Sequence, residues 1–243
     1  MSSFVLFDTE TTGTEEEDRI VQVGAIILEK KNSEVYDELC STDVPIKLGA
    51  METHHITEEM IKEKPSYKET KFCKRLEELN NPSNYLIAHN IDFDLKMIQK
   101  EGFIQKINLI DTLQCSKHLI KDVESYRLQH LRYALGLYKK EEEEAKKHNI
   151  EIKAHDAIGD VLIMKLLLSR LVEEITKSEP AANPIAKLLE LKKKDVLVET
   201  FVFGKYKGES IKEICRKDSN YIRWIKNNME LDRNMIFTLE TYK

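Results

Sequence analysis

The sequence predicts an α/β domain on a mixed sheet, flanked by helices and followed by a small C-terminal appendage. Short, fully apolar runs have the length of buried strands, and longer segments place apolar residues every three or four positions. Strands come first and then alternate with helices, the order of an α/β domain with a mixed sheet.

Phe4-Val5-Leu6-Phe7 is apolar throughout and reads as a central strand. Ile20 to Leu28, rich in Val and Ile, is a second strand beyond a loop of Thr, Glu and Asp, and Val35 to Cys40 offers a third. Helical spacing runs from Thr57, a capping residue type, to Lys62, and from Tyr67 to Leu79. Tyr85 to Ala88 is a further buried strand, with helix from Phe93 to Lys100; Ile107 to Ile110 repeats the strand, and helix resumes at Thr112 and Leu128. Lys139 to Lys147, with four consecutive glutamates, reads as a solvated helix or loop, and a long helix follows from Asp156 to Glu173. Pro180 and Pro184 mark a linker, because proline cannot continue a helix. The expected division is 1–177, a linker at 178–195, and a small segment at 196–243, which reads as docked on the main domain because it is too short to stand alone.

At 243 residues the chain can bury a core without staples. It has no apolar run long enough to cross a membrane, and Met1-Ser2-Ser3 opens no cleavable leader, so a cytoplasmic protein is expected. The four cysteines are widely spaced and match no zinc pattern, as expected of reduced thiols. A net charge of −5 argues against coating a polyanion with the whole surface. The stretch from Lys192 to Lys226 is nonetheless basic, with about ten Lys/Arg against about five Asp/Glu, and is the expected electrostatic handle for nucleic acid.

Several acids stand where the local pattern wants apolar residues. Residues two apart on a strand share a face, so Asp8 and Glu10 project together from the end of the most apolar strand. Thr11-Thr12-Gly13 then supplies hydroxyls and a turn that a ligand could approach. Asp160 falls on the stripe of Ala157, Val161, Met164, Leu168 and Val172, and Asp94 shares a face with Met97 and Ile98. A buried carboxylate takes up a proton or finds a cation. Taken singly, Asp94 could cap a helix, Asp160 could pair with a distant arginine, and Asp8 and Glu10 could be a polar strand end. Together they suit a hard divalent cation, Mg²⁺ or Mn²⁺, because no Cys/His set accompanies them. Two such ions suit phosphodiester hydrolysis. His155, five residues before Asp160, is off that helix face and belongs to the loop ahead of it, with Asp156 as a cap; there it could serve as a base.

These residues also form a set. Phe7-Asp8-Thr9-Glu10-Thr11-Thr12-Gly13 resembles the first motif of the DnaQ-like exonuclease superfamily, and His89-Asn90-Ile91-Asp92-Phe93-Asp94 resembles the second. His155-Asp156-Ala157-Ile158-Gly159-Asp160 resembles the third in its DEDDh form, with Val161 where many members have alanine. The resemblance implies a ribonuclease-H-like fold with a mixed, five-stranded sheet, and two metal ions per active site. It implies that Asp8, Glu10 and Asp160 bind the catalytic ion, that Asp94 holds the second together with Asp8, and that His155 is the general base. Thr53-His54-His55-Ile56-Thr57 resembles the segment beside the terminal nucleotide. Thr11, Thr12, Gly13, His54, His55, Ile56 and Asn90 are therefore expected on the substrate side.

Phe203-Gly204-Lys205-Tyr206-Lys207-Gly208 and Asp218 to Trp224 resemble the C-terminal segment of the exodeoxyribonuclease X kind. Lys205, Lys207 and Arg223, with Tyr206, Tyr221 and Trp224, could track a phosphate backbone and stack on bases. Alternatively Phe203, Tyr221 and Trp224 form a small core, the favoured reading for Trp224. The resemblance implies a 3′→5′ exodeoxyribonuclease acting at DNA 3′ ends, releasing nucleoside 5′-monophosphates in repair or end processing. A polymerase proofreading subunit, a 3′→5′ exoribonuclease and a catalytically silent nucleic-acid-binding module remain as alternatives. The sequence indicates no polymerase partner and leaves a homodimer open.

Overall fold

The structure, a computed structural model, describes residues 2–30, 32–150 and 156–243. Five strands form one sheet among them: β1 (Phe4–Thr11), β2 (Ile20–Leu28), β3 (Ser33–Leu39), β4 (Tyr85–Ala88) and β5 (Asn108–Asp111), in the order β3-β2-β1-β4-β5. β1, β2 and β3 form an antiparallel meander, and β4 and β5 run parallel to β1. Parallel strands need a crossover. Between β3 and β4 the chain passes through α1 (Leu48–His54), α2 (Glu58–Ile61) and α3 (Lys71–Leu79), and between β4 and β5 through α4 (Ile91–Lys100). After β5 come α5 (Thr112–Leu119), α6 (Leu128–Ala134), α7 (Tyr138–His148), α8 (Ala157–Ser178) and α9 (Pro184–Lys193).

Alternate β1 side chains feed two cores, which is why the strand reads as a continuous apolar run. Leu6, with Ile26, Ile87 and Ile110, packs on α8 residues such as Val161 and Leu167. Val5 and Phe7 pack instead with Phe72 and Leu76 of α3 and Met97 and Ile98 of α4. β1 continues beyond the apolar run to Thr11, because Asp8, Thr9 and Glu10 pair with Gly24, Val23 and Gln22 of β2. Backbone pairing carries this polar stretch, which apolar patterning does not mark.

The glutamate run expected to be solvated is α7, and two of its acids are buried. Glu141 takes both ends of the Arg132 guanidinium at 2.5 and 2.6 Å, and Glu144 pairs with Lys147 and Lys165. The expected linker contains a helix instead. Pro184 opens α9, where a missing N–H costs nothing, and Asn183 Oδ1 accepts from the amides of Ile185 (3.0 Å) and Ala186 (3.1 Å). Leu188 and Leu191 are buried in the same core as α8.

The chain divides into two units, 1–192 and 193–243. The second contains α10 (Ile211–Lys217), α11 (Ser219–Asn228) and α12 (Arg233–Thr241), around Phe201, Ile211, Ile214, Ile225 and Leu239. Phe203 and Tyr221 pack against this core, but Trp224 is 53% exposed, contrary to the favoured expectation. Ile222 and Ile225 give α11 its buried face, and Trp224 is turned away from it, stacking flat on Tyr221 at 6.2 Å. No helix among the described residues is long and apolar enough to cross a membrane.

Candidate functional site

β4 pairs with β1 only from Phe4 to Leu6, so β1 runs on past the last of those pairs. β4 ends at Ala88, and the chain turns at Asn90 (φ 77°) into α4. A crevice at the carboxyl ends of parallel strands is where open α/β sheets place their sites. Asp8 and Glu10 share the β1 face of Leu6, toward α8, whereas Thr9 points to the α4 side.

Three local devices bring further groups to this strand end. Gly24, the register partner of Asp8, lies beneath the start of α8: a Cβ there would meet the Ala157 carbonyl carbon at 2.5 Å and its oxygen at 2.8 Å. The missing side chain lets the first turn of α8, carrying Asp160, approach the sheet. From α4, Asp94 is buried, and its Oδ1 accepts from Thr9 N (3.1 Å) and Thr9 Oγ1 (2.8 Å). From α6, Gln129 Nε2 donates to Asp160 Oδ1 at 2.6 Å.

The four carboxyls lie in one field. Burial raises Asp8 well above the usual carboxylate range, and Asp94, Asp160 and Glu10 push it further. Glu10 is pushed up to about 8 by burial, then by Asp160, Asp94 and Asp156. Asp94 is raised to about 7 by burial, against the opposing hydrogen bonds of Thr9. Like charges gathered out of water hold one another protonated unless a cation joins them. An oxygen-only donor set with this repulsion fits a hard divalent ion. The donor types suit such an ion, but among the described residues no three His, Cys, Asp or Glu side chains already form a group that could hold one, so the acids must draw closer together to bind it. His155 lies outside the described residues. Asp156 occupies the residue before α8 but does not cap it with its side chain; Gln22 Nε2 donates to its Oδ1 at 2.5 Å.

A stability prediction follows for metal-free protein. At about pH 7 these acids are ionised when unfolded, yet Glu10 and part of Asp94 hold protons when folded, and Asp8 is shifted in the same direction. The folded state then binds more protons, so stability falls as pH rises. Histidines lowered by burial, His54 and His89 (to about 4), act in the opposite sense, but only below about pH 7. In EDTA the protein is expected to melt at a lower temperature at about pH 8 than at about pH 7, before the thiols titrate. An unchanged or higher melting temperature would contradict the raised acids.

The segments expected to touch substrate serve several purposes. Thr11 is buried and its hydroxyl donates to Gly13 O (2.7 Å); the buried Thr12 hydroxyl donates to Asp18 Oδ1 (2.8 Å). Gly13 has no room for a side chain, since a Cβ would meet Asp18 Oδ2 at 2.5 Å and Lys47 at 2.7 Å. Buried His54 donates from Nε2 to Thr11 O (3.1 Å), and its Nδ1 accepts from Ile56 N (3.0 Å). Ile56 is packed among Val21, Ile46 and Ile61. His55 and Asn90 are exposed at left-handed turns. In the second unit Lys207 is exposed, while Lys205 pairs with Asp218 Oδ2 (3.1 Å) and lies over the Tyr206 ring. Sequence reasoning passed over Thr9, Gly24 and Gln129. A glycine inside a Val/Ile strand was a signal for Gly24; Thr9 and Gln129 carried none.

The exonuclease family model matches residues 5–168, and a model of the exodeoxyribonuclease X-like C-terminal segment matches 201–230. Exodeoxyribonuclease 10 of Escherichia coli (strain K12) is 25% identical over 243 residues, covering 98% of this chain and 97% of that protein. DNA polymerase III subunit epsilon of Treponema pallidum (strain Nichols) is 30% identical over 146 residues, 56% of this chain and 66% of that protein. Among solved structures, exonuclease X in complex with 5′ overhanging duplex DNA aligns at a TM-score of 0.54 and 20% identity, over 77% of this chain and 98% of that one. Escherichia coli exonuclease I in complex with a dA16 oligonucleotide aligns at 0.55 and 22% identity, over 78% and 42%. At these identities the structural likeness is one of fold, and the fold is the mixed, ribonuclease-H-like sheet described above. The family match spans β1, α4 and the start of α8, the elements that carry the gathered acids, and the chain belongs to the DnaQ-like exonuclease family.

Proposed function

We propose that this chain is a metal-dependent 3′→5′ exodeoxyribonuclease that acts on its own at DNA 3′ ends, releasing nucleoside 5′-monophosphates in repair or end processing. The observation that carries the reading is the gathering of Asp8, Glu10, Asp94 and Asp160 around the end of β1, in a chain of the exonuclease family. Likeness to exodeoxyribonuclease 10 along nearly the whole of both chains favours DNA. It also favours a stand-alone enzyme over a proofreading subunit, since the epsilon relative matches 56% of this chain.

In this reading Asp8, Glu10 and Asp160 hold one Mg²⁺ or Mn²⁺, and Asp94 with Asp8 holds a second. Bound there, the ions would supply Lewis acidity to the scissile phosphate and acidify the attacking water. Thr9 fixes Asp94, and Gln129 fixes Asp160, each through one carboxylate oxygen. His155 takes the proton from the attacking water, a task an imidazole suits near neutrality. His55 and Asn90 face the terminal nucleotide, while Thr11, Thr12, Gly13, His54 and Ile56 keep the strand end in shape for it. Lys205 and Lys207 offer charge to a phosphate backbone. The chain works in the cytoplasm, where its DNA substrate is.

The test uses DNA and RNA oligomers of matched sequence, labelled at their 5′ ends, with Mg²⁺. Faster shortening of DNA toward the label is expected. Faster shortening of RNA would overturn the substrate assignment while leaving the site standing.

A further inference from the structure

Residues 125–140, from the lead into α6 to the start of α7, carry Arg127, Arg132, Lys139 and Lys140 and no Asp or Glu, in a chain whose net charge is −5. Two large aromatics stand out from this stretch: Tyr133 is 60% exposed and Tyr138 45% exposed, with ring centroids 5.6 Å apart. Cations flank both rings. The Arg132 guanidinium lies 5.1 Å from the Tyr133 centroid, and Lys139 Nζ lies 5.8 Å from that of Tyr138. The fold exposes these rings because Leu128, Leu131 and Leu137 turn into the core beside them.

The patch is joined to the acid cluster by a short chain of hydrogen bonds. Gln129 Nε2 donates to Asp160 Oδ1 (2.6 Å), Arg132 Nη1 donates to Gln129 Oε1 (3.3 Å), and the same nitrogen donates to Tyr133 Oη (3.2 Å). The bidentate grip of Glu141 pairs the Arg132 charge and holds the guanidinium plane beside the Tyr133 ring, so Arg132 positions the ring and the cations left for a backbone are its neighbours. Tyr133 is thereby tied through Arg132 and Gln129 to Asp160, and Tyr138 is paired with it ring to ring.

We propose that Tyr133 and Tyr138, with Arg127, Lys139 and Lys140, form a stacking platform for the single-stranded DNA that runs 5′ from the terminal nucleotide. This rests on the exonuclease reading above. A platform of this kind needs open π-faces at base-step reach and cations for the backbone, and it is indifferent to sequence because every base has a face to stack. Although Glu124 and Glu141 to Glu144 flank the stretch, Arg127, Lys139 and Lys140 stand beside the rings as cations for a polyanion, and Gln129 ties the stretch to Asp160 of the proposed site. Unlike a surface for a protein partner, it exposes rings among cations without an apolar core to bury.

The experiment measures binding in EDTA, where no cleavage occurs, by anisotropy of labelled single-stranded DNA from a dinucleotide to about eight nucleotides, the span of a short single-strand site. Wild-type protein is expected to gain affinity with length. The doubly substituted Tyr133→Ala/Tyr138→Ala protein is expected to lose most of that gain, about tenfold for each stacked base. Tyr133→Phe/Tyr138→Phe keeps the faces and is expected to retain the gain, which separates stacking from a fault in folding. In steady-state cleavage of the longer oligomer the alanine protein is expected to raise KM far more than it lowers kcat. A length dependence equal to wild type in the alanine protein would overturn the platform. Wild-type protein that neither binds nor cleaves any oligomer would instead overturn the exonuclease reading itself.

Discussion

Asp8→Asn is expected to abolish cleavage while making the metal-free protein more stable. The two effects share one cause. Asp8 is partly buried and in the repulsive field of Asp94, Asp160 and Glu10, so in the absence of cations its charge is a burden on the fold. An isosteric amide removes that charge and relieves its neighbours, so the melting temperature in EDTA should rise, most clearly at about pH 8, where the wild-type acids begin to ionise. The same charge is what the metal ions need. Losing a shared ligand forfeits several kcal/mol of transition-state stabilisation, equivalent to about 10³-fold or more in rate. Added Mn²⁺ should then stabilise wild type but not the substituted protein. A protein that loses activity and melts earlier would point to a structural role for Asp8 instead.

Gly24→Ala carries the second large effect, although Gly24 bears no functional group. Its Cβ would meet backbone of Ala157 and Ile158, which cannot rotate aside as a side chain can. Either β2 or the first turn of α8 must move, at the ~1–3 kcal/mol typical of overpacking or more. Movement of α8 carries Asp160 away from Asp8 and Glu10. Thermal melts should show the loss of stability. Cleavage should fall by about 10²-fold even at temperatures where the protein stays folded, since a shift of about 1 Å at a reacting centre costs that much. Full activity in a folded Gly24→Ala protein would show that α8 does not need its close approach to β2.

Much of this was legible in the sequence, for identifiable reasons. β2 and β4 are dense apolar runs, and their bounds follow from composition alone. The acids stood out because Asp94 interrupts an apolar helix face and Asp8 and Glu10 end an apolar strand. What supports them was less visible. The polar half of β1 is held by backbone pairing to β2, and Gln129 reaches Asp160 across 31 residues of chain. Helix α9 was hidden by a proline that opens it, and the burial of Glu141 depends on Arg132, nine residues away. His54 shows the limit of motif reasoning: the histidine that marks the segment is spent on Thr11 O and Ile56 N inside the protein. Trp224 shows the limit of residue type, because helical phase rather than size leaves it half exposed.

On the proposed function, the acids around Asp8 form a metal-dependent centre that shortens DNA from its 3′ end. The most direct measurement follows a single-stranded DNA oligomer labelled at its 5′ end, with the purified protein in Mg²⁺ and in EDTA. A ladder of products shortening toward the label is expected in Mg²⁺, and an intact oligomer in EDTA. An equal ladder in both would contradict the metal centre, and an oligomer left intact by folded protein in Mg²⁺ would contradict the nuclease.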